Sequence, residues 1–281
     1  MVRTIVVKCG GNAAVNAEEV CRDVADLHGR ECRIVLVHGG SAEIERLAGR
    51  LGVPTRRNTT AAGISTRHTD EVMLEVVQLA LAGSIKPRLV TELIRRGVSA
   101  VGLTGLDGGV IRARRRAGHR AVVDGRRFVV RDHSGRITGV DGNLLTGLLD
   151  LGQVPVLSPP VLSEDGFPLN ADADRVAASV ACALEAETLV LLTGAPGVLA
   201  DPCDEASVLG TCRVPPTGTP AITGGGIGMK LIAARDALLG GVANVTIADG
   251  RAHRPVHRAL TAPATRVLLD QARPAATGST R

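Results

Sequence analysis

Only three lysines, Lys8, Lys86 and Lys230, stand among the 33 basic residues of this 281-residue chain, and two of them lie beside glycine-rich turns. Lys8-Cys9-Gly10-Gly11 closes the opening apolar run, and Gly224-Gly225-Gly226-Ile227-Gly228-Met229-Lys230 runs into a helical stretch. An ammonium is a compact point charge where arginine is a planar fork. Beside glycines, whose amides a ligand can approach closely, such a charge suits a phosphate. The GxxxxGK[ST] spacing of a Walker loop is missing, and one glycine turn after a strand is more often just a turn. A second pair, His38-Gly39-Gly40-Ser41, shifts the balance. It would open a helix whose free amides attract anions, with Ser41 as its N-cap. Two glycine pairs at the ends of consecutive parallel strands share one sheet edge. Gly10, Gly11, Gly39 and Gly40 therefore read together as a phosphate cradle, and His38 as a structural hydrogen-bonder in preference to a base.

Three further segments carry polar groups at telling positions. In Gly63-Ile64-Ser65-Thr66-Arg67-His68-Thr69-Asp70, Arg67 could grip a carboxylate through two hydrogen bonds. A solvated arginine before a capped helix explains that segment equally well. In Asn170-Ala171-Asp172-Ala173-Asp174-Arg175, alternate residues of an extended loop point the same way. Asn170 could then meet a ligand's polar group, and the carboxylates could hold lysines or Mg²⁺. A polar helix N-terminus accounts for one carboxylate there but not for three aligned groups. Thr193-Gly194-Ala195-Pro196-Gly197-Val198-Leu199 follows another apolar run and would suit a nucleotide's base and ribose.

Positioning these groups requires an alternating pattern of strands and helices. Apolar runs at Thr4–Cys9, Arg33–His38, Ala100–Thr104, Val154–Leu157, Thr188–Thr193 and Asn244–Ala248 read as strands buried on both faces. Helical periodicity fills Ala17–His28, Ser41–Leu51, Glu71–Arg96, Gly142–Leu151, Ala173–Leu184 and Met229–Gly240. Pro87 should bend or interrupt the third of these. The alternation predicts an α/β fold, a three-layer αβα sandwich around a mainly parallel sheet, with ligands at the carboxyl ends of the strands. An Arg- and Gly-rich insertion, Val110–Val140, reads as an exposed β-hairpin with arms Ala121–Asp124 and Phe128–Arg131. Residues 1–170 are expected to form one lobe and 171–271 another, with 272–281 a disordered tail.

The composition narrows the class. Hydrophobic residues make up 44% and charged residues 22%, ordinary for a globular chain, yet aromatics are only two Phe. That argues against readers of single-stranded nucleic acid, which stack bases on aromatics. No apolar run approaches a membrane span and no signal-peptide pattern precedes the first strand. Six cysteines without a CxxC pair read as reduced thiols, which places the protein in the cytoplasm.

The order and spacing of these motifs from Lys8 to Lys230 resembles the amino-acid kinase family, over nearly the whole chain to about Leu269. Within it, the likeness is closest to N-acetylglutamate kinases and to kinases acting on 2-aminoadipate or glutamate bound to a LysW-type carrier protein. The segment GISTRHTD and the run Gly102-Leu103-Thr104-Gly105-Leu106-Asp107-Gly108-Gly109 resemble the carrier-protein branch. The resemblance implies an ATP-dependent kinase in which a substrate carboxylate attacks the γ-phosphate in line, with Mg²⁺ bridging the phosphates and no metal held by the protein. By that likeness Lys8 and Lys230 contact the transferring phosphoryl group and Asp174 holds both lysines. Gly10, Gly11, Gly39 and Gly40 donate amides. Arg67, Asn170, Asp172 and His68 surround the substrate, and Thr193, Gly194, Pro196, Gly197, Val198, Gly228 and Met229 the nucleotide. A homodimer formed through the N-terminal lobe is also implied.

Nine arginines between Arg112 and Arg136 face only Asp124 and Asp132 in that stretch, a charge balance that attracts an acidic partner. Arg112, Arg114, Arg115, Arg116, Arg126 and Arg127 are the candidate docking residues for a small acidic carrier. A solvated hairpin is the plainer alternative, and nucleic acid a weaker one without a recognition motif. Free N-acetylglutamate is the alternative substrate, and a non-catalytic amino-acid sensor the alternative class. Some residues depart from the family pattern: Cys9 for an aliphatic, Ser41 for a glycine, His68 for an aromatic and Gly194 for an aspartate. None removes Lys8, Asp174 or Lys230, so an active enzyme is expected.

Overall fold

The computed structural model describes residues 2–29, 32–59, 63–116, 119–123, 126–130 and 132–270. In chain order, β1 (Arg3–Cys9), α1 (Ala17–Leu27), β2 (Cys32–His38) and α2 (Ser41–Leu51) lead to a short ribbon, β3 (Arg57–Thr59) and β4 (Ser65–Arg67). Then come α3 (Glu71–Gln78), a π-helical segment (Leu79–Ile85), α4 (Lys86–Arg95) and β5 (Ala100–Gly105). The insertion holds β6 (Ile111–Arg115), β7 (His119–Val123), β8 (Arg126–Val130) and β9 (Gly135–Val140). It is followed by α5 (Gly142–Asp150), β10 (Val154–Ser163), β11 (Pro168–Leu169), α6 (Ala173–Ala183) and β12 (Thr188–Thr193). The chain ends with β13 (Thr211–Val214), α7 (Ile227–Leu239), β14 (Asn244–Asp249), α8 (Pro255–Thr261) and β15 (Thr265–Leu269).

The six apolar runs read from the sequence form the parallel centre of one sheet, in the order β5-β10-β2-β1-β12-β14. In β1, β2, β10 and β12 the side chains alternate between two buried faces, whereas β5 at the edge is only partly covered. Val6, Val37, Leu157 and Leu191 pack against Val176 and Val180 of α6 and Leu231 of α7. Val7, Leu36, Val156 and Leu192 pack on the opposite side against Val24 of α1 and Leu89 and Leu93 of α4. Burying each such side chain contributes about 1.5–3 kcal/mol. Two covered faces make the three-layer αβα sandwich. Beyond β14, β15 runs antiparallel to β14, and β13 parallel to β15.

Several elements differ from the sequence reading. The helix expected over Glu71–Arg96 is broken: α3 gives way to the π-helical segment, and Pro87 sits in the first turn of α4. Proline offers no N–H to the carbonyl four residues back, so the ladder widens, and the Lys86 amide reaches back to the Leu81 carbonyl. The hairpin exists but is displaced, pairing β7 with β8 as a separate ribbon. Its base, β6 and β9, is antiparallel and joins the main sheet through β6 and β10. The expectation about the tail concerns 272–281, which lies outside the described residues.

Candidate active site

The carboxyl ends of β1 and β2 meet in a tight contact that only glycine permits. A Cβ on Gly11 would lie 2.3 Å from the Gly40 nitrogen and 2.7 Å from that of Ser41. Backbone cannot yield to such a clash. Ser41 is not the N-cap: Gly40 is, and Ser41 is the first residue of α2. Its hydroxyl is drawn away to donate to the Gly11 carbonyl at 2.9 Å, and the Ala42 amide donates to the same oxygen at 3.0 Å. The two glycine turns are thereby tied together, with the positive end of α2 behind them.

Lys8 from the end of β1, Asp174 from the first turn of α6 and Lys230 from α7 converge at this edge. Lys8 Nζ lies 2.9 Å from Asp174 Oδ1, and Lys230 Nζ donates to both carboxylate oxygens at 2.9 and 3.0 Å. All three are buried. Burial alone would raise the Asp174 carboxyl, but the two ammoniums hold it at about 2. Burial pulls the Lys8 ammonium down, and its ion pair with Asp174 more than offsets this and leaves it raised. Lys230 is lowered by burial and by the like charge of Lys8, against the pull of Asp174. One carboxylate therefore serves two cations, and the trio carries a net positive charge.

This trio lines a cleft of about 760 Å³ that also contains Gly10, Gly11, Gly39 and Gly40. At one end stand Arg67, Asn170 and Asp172. Arg67 Nη2 donates to Glu45 at 3.1 Å, whereas its Nη1 is buried with no hydrogen-bond partner among the described residues. Asn170 Nδ2 donates to Thr69 at 3.0 Å, and its backbone is clamped between His133 and Gly135. Asp172 caps α6 by accepting from the Arg175 amide at 3.0 Å. Its carboxyl is raised by burial and by the charge of Asp174. At the other end stand Thr193, Gly194, Gly197 and Met229.

Other candidates lie outside this lining. His68 turns to Asn58 and Asp132 instead, at 3.4 and 3.9 Å, because neighbours in an extended chain point opposite ways and Arg67 takes the inward direction. The turn of Pro196 and Val198 packs onto β15, where the Val198 amide donates to Thr265 Oγ1 at 2.9 Å. Gly228 rests on the Thr223 backbone, 3.0 Å from where its Cβ would be. Of the candidate docking arginines Arg116 reaches the cleft. Arg112 is exposed on β6, Arg114 pairs with Glu164 at 3.2 Å, and Arg115 contacts His133 at 3.2 Å. The side chains of Arg126 and Arg127 lie outside the described residues. Asn12 and Leu81 are among the cleft residues that had no signal of their own in the sequence. Asn12 sits 3.1 Å from where a side chain on Gly194 would begin, and Leu81 reaches the cleft from the π-helical segment.

The family model described as the amino acid kinase family matches residues 3–249. The chain is 38% identical over 269 residues to the LysW-aminoadipate kinase of Deinococcus radiodurans, covering 94% of this chain and 91% of that protein. It is 38% identical over 255 residues to the acetylglutamate kinase of Symbiobacterium thermophilum, covering 89% of this chain and 85% of that one. Among solved structures, N-acetylglutamate synthase of Neisseria gonorrhoeae superposes with a TM-score of 0.73 at 26% identity, over 96% of this chain and 60% of that one. With its parallel sheet, paired glycine turns and buried Lys8–Asp174–Lys230 trio, this chain belongs to the amino acid kinase family and is a phosphotransferase.

Proposed function

We propose that this enzyme transfers the γ-phosphoryl group of ATP to the side-chain carboxylate of an acidic amino acid carried by its amino group on a small acidic carrier protein. The observation that carries the reading is the route from the basic insertion into the cleft. Exposed arginines on β6 lead to Arg116 at the cleft, and the far end of the insertion joins Asn170 through the Ser134–Asn170 bridge. A tethered substrate entering along that strip would meet Arg67, whose unpaired Nη1 suits its α-carboxylate. Relatives named for a LysW-linked aminoadipate support the same choice.

In this mechanism the attacking carboxylate is already ionised near neutral pH, so no general base is needed. Catalysis rests on charge and position. Lys8 and Lys230 flank the transferring phosphoryl group, and Asp174 fixes both ammoniums without neutralising them. The amides beside Gly11 and Gly40 would donate to a phosphate, and the missing Cβ atoms let the two turns pack closely enough to present them together. Mg²⁺ would bridge the nucleotide phosphates and offset their charge as transfer proceeds.

Free N-acetylglutamate is the second reading, supported by the acetylglutamate kinases among the relatives. Val72 and Leu79, exposed seven residues apart along α3 and the π-helical segment, offer an apolar face for a homodimer. No described helix is long and apolar enough to cross a membrane, and the cysteines are free, in keeping with a reducing cytoplasm. ADP release measured with a carrier-linked aminoadipate or glutamate against free N-acetylglutamate decides between the two substrates. Turnover of the free compound alone would sink the carrier reading.

A further inference from the structure

The third lysine has no place in the mechanism above. Lys86 is buried, and its Nζ has no hydrogen-bond partner among the described residues. Its stem lies across Gly102 of β5, where a Cβ would meet its Cγ and Cδ at 3.0 Å. In the register of the sheet, Gly102 lies beside Val156 and Thr104 beside Ser158. His38 of β2 follows the Val37–Leu157 pair and so flanks Ser158 from the other side. Lys86 and His38 therefore share the α4 face of the sheet, two strand spacings apart, roughly 10 Å between strand axes and within a lysine's reach.

His38 supplies a complementary orphan. Its Nδ1–H donates to the Gly39 carbonyl at 3.0 Å, and its buried Nε2 has no partner among the described residues. Burial keeps this imidazole neutral, at about 3, so Nε2 offers a lone pair. The charge of Lys86 acts on this ring. The Gly39 carbonyl belongs to the peptide whose N–H is that of Gly40, in the phosphate cradle. The π-helical segment leading into Lys86 backs the same glycine, with Leu81 and Ile85 occupying the space where a Gly40 Cβ would be.

We propose that Lys86 is a positioning residue for phosphate binding, acting through His38 and the Gly39–Gly40 peptide from behind the cradle. The two orphan atoms are not bonded to each other, but the field of a protonated Lys86 on this face polarises His38 and the Gly39 carbonyl it holds, and this strengthens the Gly40 amide as a donor. Bound phosphate in turn favours the proton on Lys86. The groups facing it are His38 from β2 and Asp107 from the turn after β5, with Ser158 uncharged between them. Cys21 of α1 lies further along α4, where it donates to Leu89, and burial keeps it protonated to about 12. Burial lowers Lys86 itself to about 8, against the pull of Asp107, so the proton is exchangeable in an accessible range.

The inference rests on Gly39 and Gly40 binding phosphate, and the scarcity of lysine makes a direct test possible. Lysine labelled at Cε gives three side-chain NMR signals, and the one missing in Lys86→Met is that of Lys86. The signals are titrated with and without Mg²⁺ and a non-hydrolysable ATP analogue. The Lys86 midpoint is expected to rise on binding by about one pH unit, and analogue affinity to weaken about tenfold between pH 7 and pH 10. In Lys86→Met this part of the pH dependence should be lost, leaving only the weaker fall that Lys230, itself lowered by burial, contributes. A Lys86 midpoint that stays fixed while Lys8 and Lys230 respond overturns the inference. If the analogue moves none of the three signals, the cradle reading itself falls, and the inference with it.

Discussion

Replacing Lys86 by methionine should make the protein more stable at neutral pH. The buried ammonium is lowered from 10.5 to about 8, chiefly by the loss of hydration. At about 1.4 kcal/mol per pH unit, holding the charge there costs about 3 kcal/mol relative to the unfolded chain. Below pH 8 both states carry the proton and the whole penalty is present. Between pH 8 and 10.5 the folded state releases the proton and the unfolded chain keeps it, so stability rises with pH. Above 10.5 both are neutral and the penalty is gone. Methionine fills much of the same volume without a charge. Lys86→Met should therefore raise the melting temperature at pH 7 by about 5–10 °C for a chain of this size. The advantage should shrink towards zero by pH 10.5. Thermal unfolding of both proteins at the two pH values measures it. A gap of equal size at both values, or a less stable variant at pH 7, would refute the argument that Lys86 is an uncompensated buried charge.

Asp174→Asn leaves two buried ammoniums facing each other, and should cost about 3–5 kcal/mol in unfolding experiments. Turnover should fall at least 10²-fold, roughly the loss that follows removal of one preorganised charge-stabilising group. In the wild type the contribution of Asp174 is complete above pH 4 and is lost only as pH falls towards about 2, which acid-unfolding curves of the two proteins should show as a difference confined to that window. Gly11→Ala would drive a Cβ into the Gly40 backbone nitrogen and force the two turns apart, and calorimetry should find nucleotide binding abolished. Unchanged affinity there would mean that the phosphates sit elsewhere. Neutralising Arg114, Arg115 and Arg116 to glutamine should raise KM for a carrier-linked substrate at least about tenfold and leave KM for ATP within about twofold, with a weaker salt dependence. An equal loss on both substrates would contradict docking on that strip.

The central sheet was legible because most of its strands, β1, β2, β10 and β12 above all, are continuous apolar runs, the pattern of a strand covered on both faces. Lys8 and Lys230 drew notice for a different reason, because the chain uses arginine almost everywhere, whereas Asp174 as their shared partner came from the family resemblance. The outer strands were harder. β6 alternates buried Ile111 and Ala113 with exposed Arg112 and Arg114, but its charge density masked the period. β3 and β4 are three residues each, too short to show any period. The burial of Lys86 had no local signal at all. Beside Pro87, at the start of a helix, it resembles a surface residue, and what buries it includes Gly102 on a strand reached only after the helix has turned back. Leu81 comes to the cleft because a π-helical turn shifts its direction, which no α-helical period foretells.

The position of β1 has a consequence for how this chain can be divided. β1 lies at the middle of the sheet, with β2 along one edge and β12 along the other, and its pairing with β12 runs from Ile5–Thr188 to Lys8–Leu191. The boundary between the two halves of the chain is therefore a hydrogen-bonded seam and not a linker. Cutting the polypeptide near residue 170 would expose a bare parallel edge on each fragment, hydrophobic on both faces, and neither piece would stay soluble for long by itself. Made together in one cell, the same pieces would have a reason to find each other. The fold is in effect a split reporter, in which Lys8 on one fragment recovers its ion pair with Asp174 on the other only when the seam closes.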